Sequence, residues 1–222
     1  MNARPITRTA FLAALASLGV ITAAPAAHAA RDAAAEAYVQ ANASEALRTL
    51  GDRSTSAVNR QQTFNRLMAQ FADMPRIANF VLGRYSTQLR EDPRLRTEWT
   101  RSFQDYSIAV YETQLERYSG GVIRVTGSIE RTAGRDVIVM SEITPRGASR
   151  SLPVQWRLLR SGNVWKAVDI SLVIEGNEIW MAQQQQRDFL AALDRNSGDI
   201  RALMAQIQAQ TASMRTHLLA RS

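Results

Sequence analysis

Apolar side chains recur along this chain with two different periods, and the change falls near residue 120. Upstream of it the steps are three and four. Phe64, Leu67, Met68 and Phe71 form one such row. Leu95, Trp99, Phe103, Tyr106 and Val110 form a longer one, with Ile108, Tyr111 and Leu115 alongside. Start signals precede these runs: Thr55 or Ser56 for the first, Asp92-Pro93 for the second, and Asp73 with Pro75 for a segment between them. The alanine-rich "RDAAAEAYVQANASEALRTL" predicts an earlier helix closed by "GDRST", and "SGG" at 119–121 stops the longest one.

The segment "PRIANFVLGRYS" (75–86) is greasier than a surface helix requires. Ile77, Phe80, Val81, Leu82 and Tyr85 cover more than the stripe of roughly 100° that faces a core. Gly83 within a helix costs about 1 kcal/mol relative to alanine. A glycine there points to close approach by another segment or by a ligand, and ordinary helix–sheet packing explains it equally well.

Downstream of residue 120 the stretches "VIRVTGSIE", "DVIVMSEIT", "RSLPVQWRLLR" and "NVWKAVDISLVIE" are β-branched and aromatic, separated by "RTAGR", "PRGA" and "SGN". They predict a four-stranded antiparallel meander. Val154, Trp156 and Leu158 fall on one face and Gln155 and Arg157 on the other, so one face is buried. Helical spacing returns after Gly176 in "IWMAQQQQRDFLAALDR" and "GDIRALMAQIQAQ", and the tail after about residue 212 is expected to fray. Helices, then strands, then helices predict an α+β fold with helices packed on one face of a curved four-stranded antiparallel sheet.

Residues 1–29 read as a cleaved secretory signal: a basic start with Arg4 and Arg8, an apolar middle, and Ala27-His28-Ala29 as the cleavage site. Pro25 cuts the apolar run short of the about 20 residues a spanning helix needs. The remainder, 30–222, is expected to be one soluble exported domain. It has no cysteine, which removes zinc fingers, iron–sulfur sites and thiol nucleophiles. Arg4 and Arg8 supply two of the seven net positive charges; the other arginines are scattered and usually sit beside acids. Nucleic-acid binders concentrate such charge on one face, so no nucleic acid is expected, and anionic lipid or acidic partners suit the charge better.

Chemistry-bearing patterns are scarce. His217 is the only histidine beyond the signal segment, and no serine elbow, zinc motif or phosphate loop is present. No cofactor, metal or catalytic residue is predicted. Asp169 beside "VWKAV" is the one carboxylate among aromatics, and a capping amide or an arginine is its expected partner.

Several fragments in order carry a likeness: Leu82-Gly83-Arg84-Tyr85 closing an apolar helix, "EWTRSFQDYSIAVYETQLERYSG" with Phe103, Tyr111 and Tyr118, the strands "PVQWRL" and "VWKAVDI" with Trp156, Arg157, Trp165 and Asp169, and "QQRDFLAAL...GDIRALMAQI". The chain resembles the MlaC or toluene-tolerance family of periplasmic phospholipid carriers, of the Mla (maintenance of lipid asymmetry) pathway, over most of its length after the signal segment. One departure is that "SLVIEGNEIW" runs a few residues longer than the family pattern, and either Gly176 or Trp180 holds the equivalent place.

The resemblance implies a mostly monomeric shuttle with an apolar cavity between helices and sheet. The cavity would hold the acyl tails of a phospholipid, or another long apolar lipid such as one of hopanoid metabolism, with the headgroup outside. The implied partners are an outer-membrane lipoprotein complex and an inner-membrane lipid ABC transporter with its substrate-binding MCE component. Two acyl chains in water represent on the order of 20 kcal/mol of unfavourable exposure, so a carrier must supply a comparable dry surface. The residues expected to line it are Ile77, Phe80, Val81, Tyr85, Phe103, Tyr106, Val110, Val139, Trp156, Trp165, Val173 and Ile179. A competing reading is a small-molecule enzyme of nuclear-transport-factor-like fold, with Tyr85 or Tyr106 acting beside Asp169; it requires both groups within hydrogen-bond reach of one ligand atom.

Overall fold

The computed structural model describes residues 30–115 and 118–220, so the signal-segment reading of 1–29 lies outside the described residues. The caps behave as their residue types dictate. Asp32 Oδ1 accepts the Ala35 N–H at 2.8 Å and opens α1 (Ala33–Gly51). Ser56 caps α2 (Ala57–Phe71) through the Asn59 N–H, and Asp73 caps α3 (Met74–Val81) through the Arg76 N–H, each at 3.2 Å. Past a short α4 (Gln88–Glu91), Asp92 Oδ1 accepts from Arg94 and Leu95 at 2.9 and 3.0 Å, where α5 (Pro93–Leu115) begins.

The segment 75–86 is not one helix. The α-helix ends at Val81, and Gly83 takes φ +50° to start a 3-10 turn (Gly83–Thr87). The glycine is therefore a helix terminator rather than an interior residue. It also admits a neighbour: a Cβ there would stand 3.1 Å from Leu190 Cδ2.

The sheet has five strands, one more than predicted, in the order β1 (Val122–Thr132), β2 (Asp136–Thr144), β3 (Leu152–Ser161), β4 (Val164–Ile174) and β5 (Asn177–Trp180), every neighbour antiparallel. The extra strand arises because Glu175 (φ 51°) and Gly176 (φ 81°) both adopt positive φ, the geometry of a tight two-residue hairpin turn. That turn folds Asn177–Trp180 back on Ser171–Ile174 before α6 (Met181–Arg195) starts. Helix α7 (Ile200–Ala220) packs along α5 and includes the tail expected to fray.

Register places Val139, Trp156 and Ile170 abreast on the inner face. The Trp156 indole N–H donates to Ser141 Oγ (2.9 Å), which donates in turn to the Val154 carbonyl (3.1 Å). Helices α1, α2 and α5 meet this face. At the β1 edge Gln40 of α1 completes the pairing: its amide nitrogen donates to the Ile123 carbonyl and its oxygen accepts the Val125 N–H, each at 3.0 Å. At the other edge β5 covers only the last part of β4. Upstream of that the α2–α3 link takes its place, with the Asp73 N–H donating to the Ala167 carbonyl at 2.8 Å.

Candidate functional site

The cavity roomy enough for acyl tails that the resemblance implies is not seen among the described residues: the apolar space between helices and sheet is about 30 Å³, too little for one acyl chain. Helix α1 contributes Ala43, Ala46 and Leu47, α2 Met68 and Phe71, α3 Ile77, and α5 Tyr111 and Leu115; the sheet contributes Ile143, Trp156, Ala167, Asp169 and Ile170. Phe71 fixes one corner by packing between Tyr38 (centroids 5.4 Å) and Trp156 (5.5 Å). Alanines on α1 leave the space: a larger side chain at Ala43 or Ala46 would occupy it.

Asp169 is the one carboxylate in this lining and is 7% exposed. A bulge at Val168, which has no cross-strand partner between the pairs Arg157–Asp169 and Leu158–Ala167, turns the strand there. Asp169 Oδ1 accepts the Ala182 N–H at 2.8 Å and the Ile170 N–H at 2.9 Å. It thereby caps α6 from another strand, where the helix's own N-cap residue, Trp180, offers no side-chain acceptor. Burial pushes its carboxyl above the usual carboxylate range, opposed by those amides and by Arg157. Tyr111 is pushed far above the ordinary phenol value by burial and then by the charge of Asp169.

Of the residues expected to line the site, Ile77 and Trp156 reach the cavity. Val81 and Val139 are wholly buried in the adjoining core, and Val110 is half-buried against it. Phe103 and Tyr106 instead join Trp99 around Phe189 of α6, with centroids 6.2, 5.8 and 5.8 Å from that ring. Trp165 is buried at the sheet end with the Arg160 guanidinium 5.7 Å from its centroid. Val173 and Ile179 sit half-buried in the β4–β5 hairpin. Phe80 is 42% exposed. The Tyr85 hydroxyl donates to Asp194 at 2.6 Å, and Arg84 pairs with the same carboxylate. The Tyr85–Asp169 and Tyr106–Asp169 pairings are thus replaced by Tyr85 on Asp194 and Tyr106 on Phe189; the tyrosine sharing a cavity with Asp169 is Tyr111.

Helices α5 and α6 run in opposite directions: Phe103 meets Phe189, whereas Tyr111 lies at the level of Asp169 and Ala182. Ser107 and Gln185 fall between those levels, 1% and 5% exposed. Ser107 Oγ and both amide atoms of Gln185 have no hydrogen-bond partner among the described residues. A buried amide left so costs about 1–3 kcal/mol.

Comparison with known proteins decides the family. The model of the family described as "MlaC protein" matches residues 40–209. The chain belongs to the MlaC family. Its fold is similar to a solved structure of the phospholipid-binding protein from Ralstonia solanacearum in complex with a phospholipid, with a TM-score of 0.67 over 82% of this chain and 98% of that one, at 19% identity. At that identity the likeness shows the fold. No curated protein matches the sequence. As an MlaC-family chain it presents, among the described residues, no helix long and apolar enough to cross a membrane and no cluster of three or more metal-ligating side chains.

Proposed function

We propose that this protein is a periplasmic lipid carrier that seats phospholipid acyl tails between its helices and sheet and passes the lipid between membrane complexes. The observation that carries the reading is membership of the MlaC family, together with a fold that matches a phospholipid-bound protein; the apolar lining where α1, α2 and α5 face the sheet is compatible with it. On this reading the space of about 30 Å³ must widen before it can hold a tail. Ligand pockets run to about 300–1,000 Å³, so loading requires the helical layer to move off the sheet. Of the twelve residues named from the sequence, Ile77 and Trp156 line this space. An inner-membrane ABC transporter with its MCE component and an outer-membrane lipoprotein complex are the proposed donor and acceptor.

Native mass spectrometry of protein purified from a periplasmic extract under mild conditions tests this. A mass increment matching one or more diacyl phospholipids, released by organic extraction, is expected. Compact, lipid-free protein that also takes up no lipid from vesicles overturns it.

A further inference from the structure

Outside the cavity wall a second depression of about 540 Å³ lies between α3, α6 and the β3–β4 strands. Ile77 and Asp169 line both spaces, so the thickness of one side chain separates them. Three guanidinium groups line the outer space, from Arg76, Arg157 and Arg187. Its one carboxylate, Asp169, is turned onto the Ala182 and Ile170 amides. Arg76 holds Asp73 through Nε alone (3.0 Å), which leaves its two terminal nitrogens as donors. Arg187 bonds the Gln184 amide oxygen at 2.6 Å and has no carboxylate partner among the described residues, so its charge is uncompensated. Arg157 is braced by Asp136 at 2.9 Å.

The lips of this groove are α3 and α6, which pack on each other. Gln186 of α6 donates to the Phe80 carbonyl of α3 at 2.6 Å, and Phe80 is partly exposed beside it. Donor-rich arginines at the rim, beside the apolar Ile77, Phe80, Leu159 and Val168, match a molecule with a phosphate at one end and hydrocarbon at the other.

Resting on the carrier reading above, we infer that this groove is the mouth of the lipid site: the tails pass Ile77 and Asp169 into the cavity, and the lipid's phosphate diester is held by Arg76 and Arg187, with Arg157 behind them. Guanidinium groups bind phosphate oxygens through paired N–H donors. The site therefore selects phosphate-bearing lipids over neutral diacyl lipids of the same tail length.

The test offers the full chain, freed of residues 1–29, to vesicles of digalactosyldiacylglycerol, a bilayer lipid without phosphate, doped with fluorescent phosphatidylglycerol or with fluorescent diacylglycerol of matching tails. Uptake is read after the vesicles are removed. The double variant Arg76→Gln/Arg187→Gln changes two exposed side chains and should melt as the parent does. It is expected to bind phosphatidylglycerol about tenfold or more weakly, the scale of a lost charged hydrogen bond, with diacylglycerol uptake unchanged. Ile77→Trp, which narrows the threshold, is expected to lower uptake of both. Loss in Ile77→Trp with no effect of the arginine changes overturns the phosphate assignment and leaves the carrier reading standing. Wild-type protein that takes up neither lipid overturns both. A third arm titrates sn-glycerol 3-phosphate: competition no stronger than that of inorganic phosphate is expected. Tight binding of the tail-free ester that leaves lipid uptake untouched shows a separate phosphate-ester site and overturns the inference.

Discussion

Replacing Ala43 by leucine separates a tail-binding site from a merely imperfect core. Ala43 lies on α1, is 3% exposed, and lines the cavity. Leucine is a good helix former, so α1 itself is barely affected. At about 24 cal/mol per Å³ of void, the 30 Å³ cavity costs the empty protein only about 0.7 kcal/mol. Overpacking strain works against that gain, and the lipid-free variant is expected to melt within about 3 °C of the parent, since about 1 kcal/mol moves a domain of this size by 2–4 °C. Ligand tells a different story. Lipid at about 100 times its dissociation constant adds about 2.7 kcal/mol to the parent, a rise of about 5–11 °C. The leucine branch occupies the space the first methylenes must enter, so the variant should lose most of that rise. Thermal melts with and without phospholipid vesicles, paired with native mass spectrometry of co-purified lipid, provide the readout. An unchanged lipid load and an unchanged rise in Ala43→Leu would refute the assignment of this cavity as the seat of the tails.

Asp169→Ala removes the acceptor of the Ala182 and Ile170 amides and should cost about 1–3 kcal/mol in urea denaturation; Asp169→Asn, which keeps an oxygen there, should cost less, and equal stability of all three proteins rules the cap out. Because burial raises the Asp169 pKa, the folded state holds that proton more tightly than the unfolded chain does. The resulting stabilisation is complete below the unfolded value of about 4 and is lost as pH rises through the raised folded value. The parent should therefore lose stability relative to Asp169→Asn as pH rises from about 4 towards neutrality, and a difference flat across that window contradicts the burial argument. Gln185→Leu should stabilise the lipid-free protein by about 1 kcal/mol by removing an amide without partners, whereas a loss of that size in the thermal melt shows that the amide is bonded. Gly51→Ala sets a Cβ 2.5 Å from the Gly120 backbone and is expected to cost about 1–3 kcal/mol by chemical denaturation; parent-like stability means that the contact is not packed.

Helix starts were legible in the sequence because the capping residues act locally: Ser56, Asp73 and Asp92 each bond amides within three residues. The first four strands were legible for a similar reason, since alternation and turn residues lie side by side. The fifth was not. Its turn needs two positive-φ residues, and Glu175 gives no such signal, while four residues are too few to show a period. The site was the least legible part. Phe103 and Val110 repeat on α5 as regularly as Tyr111 and Leu115 do, and spacing along one helix does not say which turn faces α6 and which faces the void. The residues that make room, Ala43 and Ala46, read only as helix formers. The uncapped N-terminus of α6, with Trp180 before it, was the available sign that a distant acceptor such as Asp169 must serve it.

On the carrier reading proposed above, the partial cover of β4 bears on how a lipid would leave. A sheet closed on itself would have to break a ladder to let a lipid out; this one has a seam. Along the stretch that β5 does not reach, the α2–α3 link bridges Ala167 through the Asp73 N–H, and the Lys166 ammonium donates to the Gln70 carbonyl beside it. Such a main-chain bond contributes about 1 kcal/mol net, so if the proposed carrier opens to admit or release a lipid, this seam is where it should yield while the strands beside it stay paired.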